Sequence, residues 1–235
     1  MTDAEIRTRL QDRLQAVEER ILATCKRSGR ARAEVTLIAV TKSVGVRVAR
    51  LLPELGVVDL GESRPQELAR KAKEILSLEP DAQARDIHWH MIGHLQRNKI
   101  EPTIEYARLI HSVDSSRLLE ALNRQSEGKQ MPILLEVNAS REPNKHGFAP
   151  EEIEGVVASQ STYPNVRIDG LMTMAAFADD PELARPTFAE VRRLRNAAGL
   201  THLSMGMSND FEVAIEEGAT LIRLGSVLFE GMPSG

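Results

Sequence analysis

A lysine stands just after the first apolar segment of the chain. Lys42 follows VTLIAV (residues 35–40), a β-branched run typical of a buried strand. A lysine amine attacks aldehydes to form a Schiff base, and burial would favour this attack because it lowers the pKa of the ammonium group. A lysine that only reaches solvent at the rim of the fold would show the same pattern. Position alone therefore leaves both interpretations open.

A glycine- and serine-containing segment near the C-terminus has the composition of a phosphate site. In SMGMSNDFEVAI, Gly206 would let the backbone approach a ligand closely and Ser208 offers a hydroxyl group. A helix is predicted from about Asn209, which has capping-box spacing with Glu212. Helix N-termini bind anions, so this segment predicts a phosphate contact. A plain capped helix without a ligand is the alternative.

The next apolar segment ends in a second motif of the same kind. RLGS supplies Gly225 and Ser226, whose backbone N–H groups could bind an anion. A tight turn would explain this motif equally well when it is taken alone. The two motifs follow consecutive predicted strands, and this combination favours a phosphate site over two unrelated turns.

The elements that carry these residues alternate along the whole chain. Amphipathic helical patterns are predicted at 3–28 (with Gly29 as the stop), 46–55, 65–76, 115–125, 151–160, 181–198 and 209–218. Apolar runs of the buried-strand type are predicted at 35–40, 57–62, 86–93, 107–114, 132–138, 166–174, 202–206 and 219–229. Strands separated by helices predict an α/β fold with a parallel sheet.

Eight such units without a compositional break favour a closed (β/α)₈ TIM barrel. The barrel would have an extra N-terminal helix and form a single domain over residues 1–235. Active sites of such barrels lie at the C-terminal ends of the strands, which would bring Lys42 and the two serine–glycine motifs together. A lysine for an aldehyde beside a cradle for a phosphate suggests pyridoxal 5′-phosphate, PLP.

Composition limits the classes of partner. The chain has 235 residues, a net charge of −4 and a pI of about 5.9, which give no electrostatic reason to expect nucleic acid or an anionic membrane. Cys25 is the one cysteine, so no intrachain disulfide can form, and we assign it no chemistry. The N-terminus has no apolar stretch of the signal-peptide kind. A cytoplasmic location is the expectation.

Seven segments resemble one known family. AVTKSV, GESRPQEL, HWHMIGHLQRNK, LLEVNASREPNKHGF, GLMTM, LSMGMSNDFEVAIEEGAT and IRLGSVLF occur in the order seen in the pyridoxal phosphate homeostasis proteins. The resemblance extends over about residues 5–231. It implies a barrel similar to that of alanine racemase and ornithine decarboxylase (PLP fold type III). It also implies that the β-rich C-terminal domain of those enzymes is missing.

The resemblance also implies roles for individual residues. Lys42 resembles the Schiff-base lysine. Ser208 resembles a phosphate ligand, and so do Gly225 and Ser226. Arg223 resembles the arginine that faces the pyridine nitrogen in racemase-type barrels, where a second cation disfavours protonation of that nitrogen.

Three further residues are expected around the cofactor. Met172 and His90 are predicted to line the ring pocket. Ser63 stands where members of the family commonly have asparagine, in GESR instead of a sequence beginning GEN. Any contact made by that asparagine amide must here be replaced by a shorter hydrogen bond from Ser63, direct or through water, or be altered by Arg64.

Other polar residues are predicted to be structural. His88 and His90 share a strand face and His94 follows, but no cysteine or carboxylate nearby completes a usual ligand set, so we predict no metal site. His111 and His202 are expected to be strand histidines with satisfied hydrogen bonds. Three basic segments are expected to be solvated, namely RKAK (residues 70–73), the start of a helix at 96–99, and the loop around Lys145.

Catalysis is not expected. A racemase needs two bases on opposite faces of the substrate, and Lys42 would be one of them. The two tyrosines, Tyr106 and Tyr163, precede strands and should lie at the opposite end of the barrel. The chain also ends with strand eight, so no appended domain would cover the site.

The sequence therefore predicts a PLP carrier that is a monomer or a weak dimer and exchanges PLP with apo-enzymes. A low-activity amino-acid racemase is the first alternative. The second is a barrel that binds another phosphorylated metabolite without covalent chemistry.

Overall fold

The chain folds into a closed barrel of eight parallel strands in sequence order, with the first strand paired to the eighth. The structure is a computed structural model and describes residues 1–78, 86–142 and 145–234. The strands are β1 Thr36–Val40, β2 Asp59–Glu62, β3 His88–Met91, β4 Ala107–Val113, β5 Met131–Glu136, β6 Val166–Met172, β7 His202–Ser204 and β8 Leu221–Leu224. The predicted α/β barrel is confirmed.

Helices surround the barrel. They are α1 Asp3–Arg27, α2 Val46–Ala49, α3 Pro65–Leu78, α4 Ile100–Ile104, α5 Ser116–Gln125, α6 Ile153–Ala158, α7 Arg185–Ala197, α8 Phe211–Glu216 and α9 Ser226–Phe229, with short 3₁₀ turns between some of them. In the part of the chain that the structure describes, no helix combines the length and the apolar character that a membrane crossing needs.

The extra N-terminal helix packs on the outside of the barrel. Thr2 and Glu5 form the capping box that starts α1, and Gly29, with φ of 67°, follows its end as predicted. The buried face of α1 contacts α8 and α9. Two surface ion pairs, Arg20 with Glu212 and Arg27 with Glu216, join α1 to α8.

The apolar side chains divide between two regions. Most of them fill the layer between the strands and the helices. A smaller cluster lies inside the barrel and consists of Ile38, Leu109, Leu134, Met172 and Leu221. The barrel interior is therefore packed, as in other barrels of this kind, and its open end is left for a ligand.

The eighth strand is shorter than predicted. It ends at Leu224, and residues from Ser226 onward form the short helix α9 instead of continuing the strand. Gly225 lies between them, so the RLGS motif turns the chain from strand to helix. This turn directs the first N–H groups of α9 toward the C-terminal end of the barrel.

The predicted capping box at Asn209 was wrong. The residue that precedes α8 is Asp210, whose carboxylate accepts a hydrogen bond from the Met207 N–H at 2.6 Å. The Asn209 amide instead donates to the Ala178 carbonyl. Glu212 is bound to an α1 arginine and does not return to the start of α8.

Candidate functional site

A cavity of about 460 Å³ opens at the C-terminal ends of the strands. Its wall combines cationic, hydroxyl and backbone groups with an apolar flank formed by the 174–184 segment. Six of the eight residues predicted for the site line this cavity: Lys42, Ser63, Ser208, Arg223, Gly225 and Ser226.

Lys42 lies in a 3₁₀ turn, Thr41–Ser43, that directly follows β1. A second lysine, Lys71 of α3, fixes the backbone of this turn. The Lys71 ammonium donates to the Thr41 carbonyl at 2.8 Å and the Val44 carbonyl at 2.7 Å, and it pairs with Glu62 at 2.5 Å. The backbone on both sides of Lys42 is therefore held, while its own side chain is free to reach into the cavity.

Two expectations about lysines were wrong. The RKAK segment was predicted to be a solvated helix face, but Lys71 is only 2% exposed because it points from α3 toward the β1 turn. Lys42 itself is exposed. The desolvation that we invoked to make the Lys42 amine more nucleophilic is therefore not provided by the protein alone.

The two serine–glycine motifs meet at one point. The Ser208 hydroxyl accepts hydrogen bonds from the backbone N–H groups of Gly225 and Val227, both at a long 3.4 Å. Long bonds of this kind leave the N–H groups available to a stronger acceptor, because charged acceptors form shorter and stronger bonds. A phosphate oxygen placed between Ser208 and the start of α9 fits this donor set.

Gly206 has a packing role that the sequence did not indicate. Its φ is 92°, and an added Cβ atom would lie 2.6 Å from the Cβ of Ala214 in α8. The glycine therefore lets the loop after β7 pack onto α8. This packing places Ser208 over the end of β8.

Arg223 supplies the buried positive charge of the site. Its guanidinium donates to the Ser204 hydroxyl at 2.5 Å and to the Thr173 carbonyl at 3.0 Å. Burial lowers the pKa of Arg223 to about 10, although the negative charges of Asp210 and Glu136 favour its charged form. Arg223 is therefore still a cation at neutral pH, and each of its two terminal nitrogens donates to a group of the barrel.

Glu136 is a site residue that the sequence analysis missed. It is the last residue of β5, lines the same cavity as Lys42, and is 7% exposed. Burial, and secondly the charge of Asp114, raise the pKa of Glu136 to about 7. Strand five was predicted to end at Asn138. It ends two residues earlier, and the alternation of inward and outward side chains selects Glu136.

Two predicted pocket residues lie outside the cavity. Met172 belongs to the apolar cluster inside the barrel, and the Met174 side chain lines the cavity instead. His90 is buried deeper in the barrel, between Asp59 and His111. Both side chains point inward as expected, but they lie below the level of the cavity.

The histidines group differently from the expectation. His88 and His90 share a strand face, and both contact the carboxylate of Asp59. His94 pairs instead with Asp114 at 3.0 Å and stacks on His146 at the rim of the cavity. These last three side chains converge closely enough to hold a cation, although each histidine already has Asp114 as its partner. The prediction that no carboxylate near these histidines completes a ligand set did not include Asp114, which contacts His94 directly.

Comparisons with known proteins agree with this geometry. A family model described as the N-terminal domain of alanine racemase matches residues 13–233. A pyridoxal phosphate homeostasis protein of Aquifex aeolicus is 38% identical over 226 residues, covering 93% of this chain and 96% of that protein. One from Pseudomonas aeruginosa is 34% identical and covers 94% of each chain. The chain belongs to the pyridoxal phosphate homeostasis family.

Solved structures share the barrel of this family member. PipY of Synechococcus elongatus, in a structure with PLP bound, is 33% identical with a TM-score of 0.78, covering 94% of this chain and 99% of that one. Alanine racemase of Corynebacterium glutamicum shares the fold at 17% identity, with a TM-score of 0.66. This family member covers 64% of that racemase chain.

Proposed function

We propose that this protein binds PLP as a Schiff base on Lys42 and serves intracellular PLP and amino-acid homeostasis in the cytoplasm, without robust catalysis. The observation that carries the proposal is the convergence of Lys42, the Ser208–Gly225 cradle and Arg223 on one cavity. The bound PLP of PipY and the names of the relatives support the choice of PLP among phosphorylated aldehydes.

Each group of residues has a separate task in this proposal. The Lys42 amine holds the aldehyde carbon. Ser208, Gly225 and Ser226 bind the phosphate through hydroxyl and backbone donors. Arg223 faces the pyridine nitrogen and disfavours its protonation, because two cations at hydrogen-bond distance repel. PLP with an unprotonated ring nitrogen withdraws electrons less strongly, which suits a carrier or a racemase that must limit side reactions.

Neither tyrosine of the chain can act as a second base beside Lys42. Tyr106 and Tyr163 precede β4 and β6, so they lie at the end of the barrel away from the cavity. Among the described residues, Lys42 is the one lysine that lines this cavity. An exposed Lys42 also leaves bound PLP accessible to an incoming amine, which is the condition for exchange with apo-enzymes.

The first experiment is reduction of the loaded protein. Purified protein mixed with PLP should develop visible absorption, and borohydride followed by peptide mapping should find the pyridoxyl group on Lys42. Lys42→Ala should lose the visible band, whereas Lys73→Ala, an exposed lysine of α3, should retain it. A label spread over surface lysines, or an unchanged band in Lys42→Ala, would contradict the proposal. Absence of the band with retained phosphate binding would favour a non-covalent metabolite barrel.

Glu136 favours a second candidate, a slow amino-acid racemase. A carboxyl group with a pKa near 7 in the cavity of Lys42 could take and return a proton, which the sequence analysis had found no residue to do. Exchange of the alanine α-proton in D₂O separates the two functions. Exchange that is abolished by both Lys42→Ala and Glu136→Gln would establish the racemase candidate. Exchange at the rate of free PLP would leave the carrier.

A further inference from the structure

Four buried side chains and one half-buried carboxylate form a continuous hydrogen-bonded chain through the barrel interior. Arg223 of β8 contacts Ser204 of β7 at 2.5 Å, and Ser204 contacts His111 of β4 at 2.8 Å. His111 contacts His90 of β3 at 2.9 Å, and His90 contacts Asp59 of β2 at 2.9 Å. Ser204 and His111 have no exposed surface.

The two ends of this chain lie at opposite ends of the barrel. Arg223 lines the cavity at the C-terminal ends of the strands. Asp59 is the first residue of β2 and lines a separate cavity between α1 and the N-terminal ends of β1 and β2. The intervening side chains therefore connect the candidate cofactor site to the opposite, solvent-accessible end of the molecule.

When His90 carries a single ring proton, the donors and acceptors allow one direction for every bond. Burial alone would raise the pKa of Asp59, but its contacts with His90 and His88 outweigh burial and the net shift is downward, so Asp59 is a carboxylate that only accepts. A His90 ring that carries one proton donates it through Nε2 to Asp59, which leaves its Nδ1 as an acceptor for His111. Burial holds the pKa of His111 well below its usual value, so His111 is neutral.

The remaining bonds follow from the neutral state of His111. Its Nε2 donates to His90, so its Nδ1 accepts from the Ser204 hydroxyl. The Ser204 oxygen then accepts from Arg223. All four bonds point from the arginine to the carboxylate, with a cation at one end, an anion at the other and no unused donor between them. Aligned bonds of this kind strengthen one another.

We propose that Asp59, His90, His111 and Ser204 form a relay that orients the Arg223 guanidinium and sets the electrostatic environment of the pyridine nitrogen that it faces. The relay ties the buried arginine to a carboxylate outside the cavity, whereas Asp210 and Glu136, whose charges favour its charged form, line the cavity. The effect on the pyridine nitrogen rests on the proposed function, whereas the arrangement of protons along the relay does not. Asp59, His90 and His111 are positioning residues, because none of them lines the cavity.

The first test needs no cofactor. Nitrogen-15 spectra of the histidine rings in the native protein should show His90 and His111 as neutral Nε2–H tautomers. In Asp59→Asn the amide can donate as well as accept, so both tautomers of His90 and His111 should become populated. An Nδ1–H tautomer of His111 in the native protein would overturn the relay. Unchanged ring spectra of His90 and His111 in Asp59→Asn would also overturn it.

The second test measures the protonation of the pyridine nitrogen of bound PLP and the affinity for PLP. With ¹⁵N-labelled PLP bound, Asp59→Asn and Ser204→Ala should move the pyridine nitrogen signal toward its protonated position. The dissociation constant for PLP should rise about tenfold in Ser204→Ala, as expected for one lost bond to a charged group. His88→Gln is the matched control, because His88 touches Asp59 at 3.2 Å but is not a link of the chain. An unchanged pyridine signal in both variants would refute the relay. A native protein that binds no PLP would refute the proposed function alone.

Discussion

At the residue scale, Arg223 and the carboxylates of the cavity influence one another's protonation. Arg223 is kept charged partly by Asp210 and Glu136, while Glu136 is pushed toward its neutral form by burial and by Asp114. When a ligand brings negative charge into this cavity, Glu136 can take up a proton, so that its carboxylate does not repel the ligand. Glu136 is the residue whose charge adjusts most easily.

The raised pKa of Glu136 has a consequence for stability. Its pKa of about 7 in the folded protein lies above its ordinary value of 4.5, so the folded state binds the proton more tightly. This contribution is full below pH 4.5 and is lost as pH rises to 7. Between pH 5 and pH 8 the native protein should lose roughly 1–3 kcal/mol of unfolding free energy relative to Glu136→Gln.

Urea denaturation of the two proteins at both pH values measures this difference. The amide of Glu136→Gln does not titrate, so the variant removes this one contribution and leaves those of the other groups. An identical pH dependence in the two proteins would show that Glu136 is ionised with its ordinary affinity for protons.

At the element scale, α3 fixes the turn that carries Lys42. The Lys71–Glu62 pair is almost fully buried, and Lys71 also ties down two carbonyls of the β1 turn. Buried ion pairs contribute little net stability when they are complete, but removal of one partner leaves an uncompensated charge. The pair therefore serves mainly to position the backbone of residues 41–44.

Lys71→Met should lower the unfolding free energy by about 3–5 kcal/mol, because Glu62 is left buried without its partner. Lys73→Met changes an exposed lysine on the same helix and should cost less than about 0.5 kcal/mol. Chemical denaturation at pH 7 compares the two variants. The double variant Lys71→Met/Glu62→Gln should recover part of the loss, and a loss of equal size in the double variant would argue against the buried charge as its cause.

At the scale of the whole molecule, the barrel brings the ends of all eight strands to one opening. The phosphate cradle comes from the last two strands and the lysine from the first, and β1 pairs directly with β8. Closure of the sheet is therefore what makes residues near positions 42 and 225 neighbours. Binding at this opening should stabilise the entire fold, since the site exists only when the barrel is closed.

PLP should raise the thermal midpoint of the native protein. At a concentration 100 times the measured dissociation constant, mass action adds about 2.7 kcal/mol, which corresponds to roughly 5–10 °C for a chain of this length. Differential scanning fluorimetry with and without PLP measures the shift, and Lys42→Ala at the same PLP concentration should show a smaller one. Equal shifts in the two proteins would place the stabilising contact away from Lys42.

The sequence by itself determined the alternation of strands and helices, and with it the barrel. Apolar β-branched runs and amphipathic helices have different periods, so eight repeats are recognisable without a structure. The rule that strand ends form the site of a barrel then selected Lys42, Ser208 and Gly225. Boundaries were less certain, because the eighth strand and α9 form one apolar run whose bend at Gly225 the pattern does not show.

The tertiary structure decided which interior side chains meet. His111 and Ser204 are 93 residues apart, and Lys71 reaches a carbonyl 30 positions earlier in the chain. Local periodicity says that a side chain points inward, but not at which level of the barrel it lies or which strand faces it. The register and closure of the sheet set those partners, which is why Glu136, Lys71 and the histidine relay emerged only from the fold.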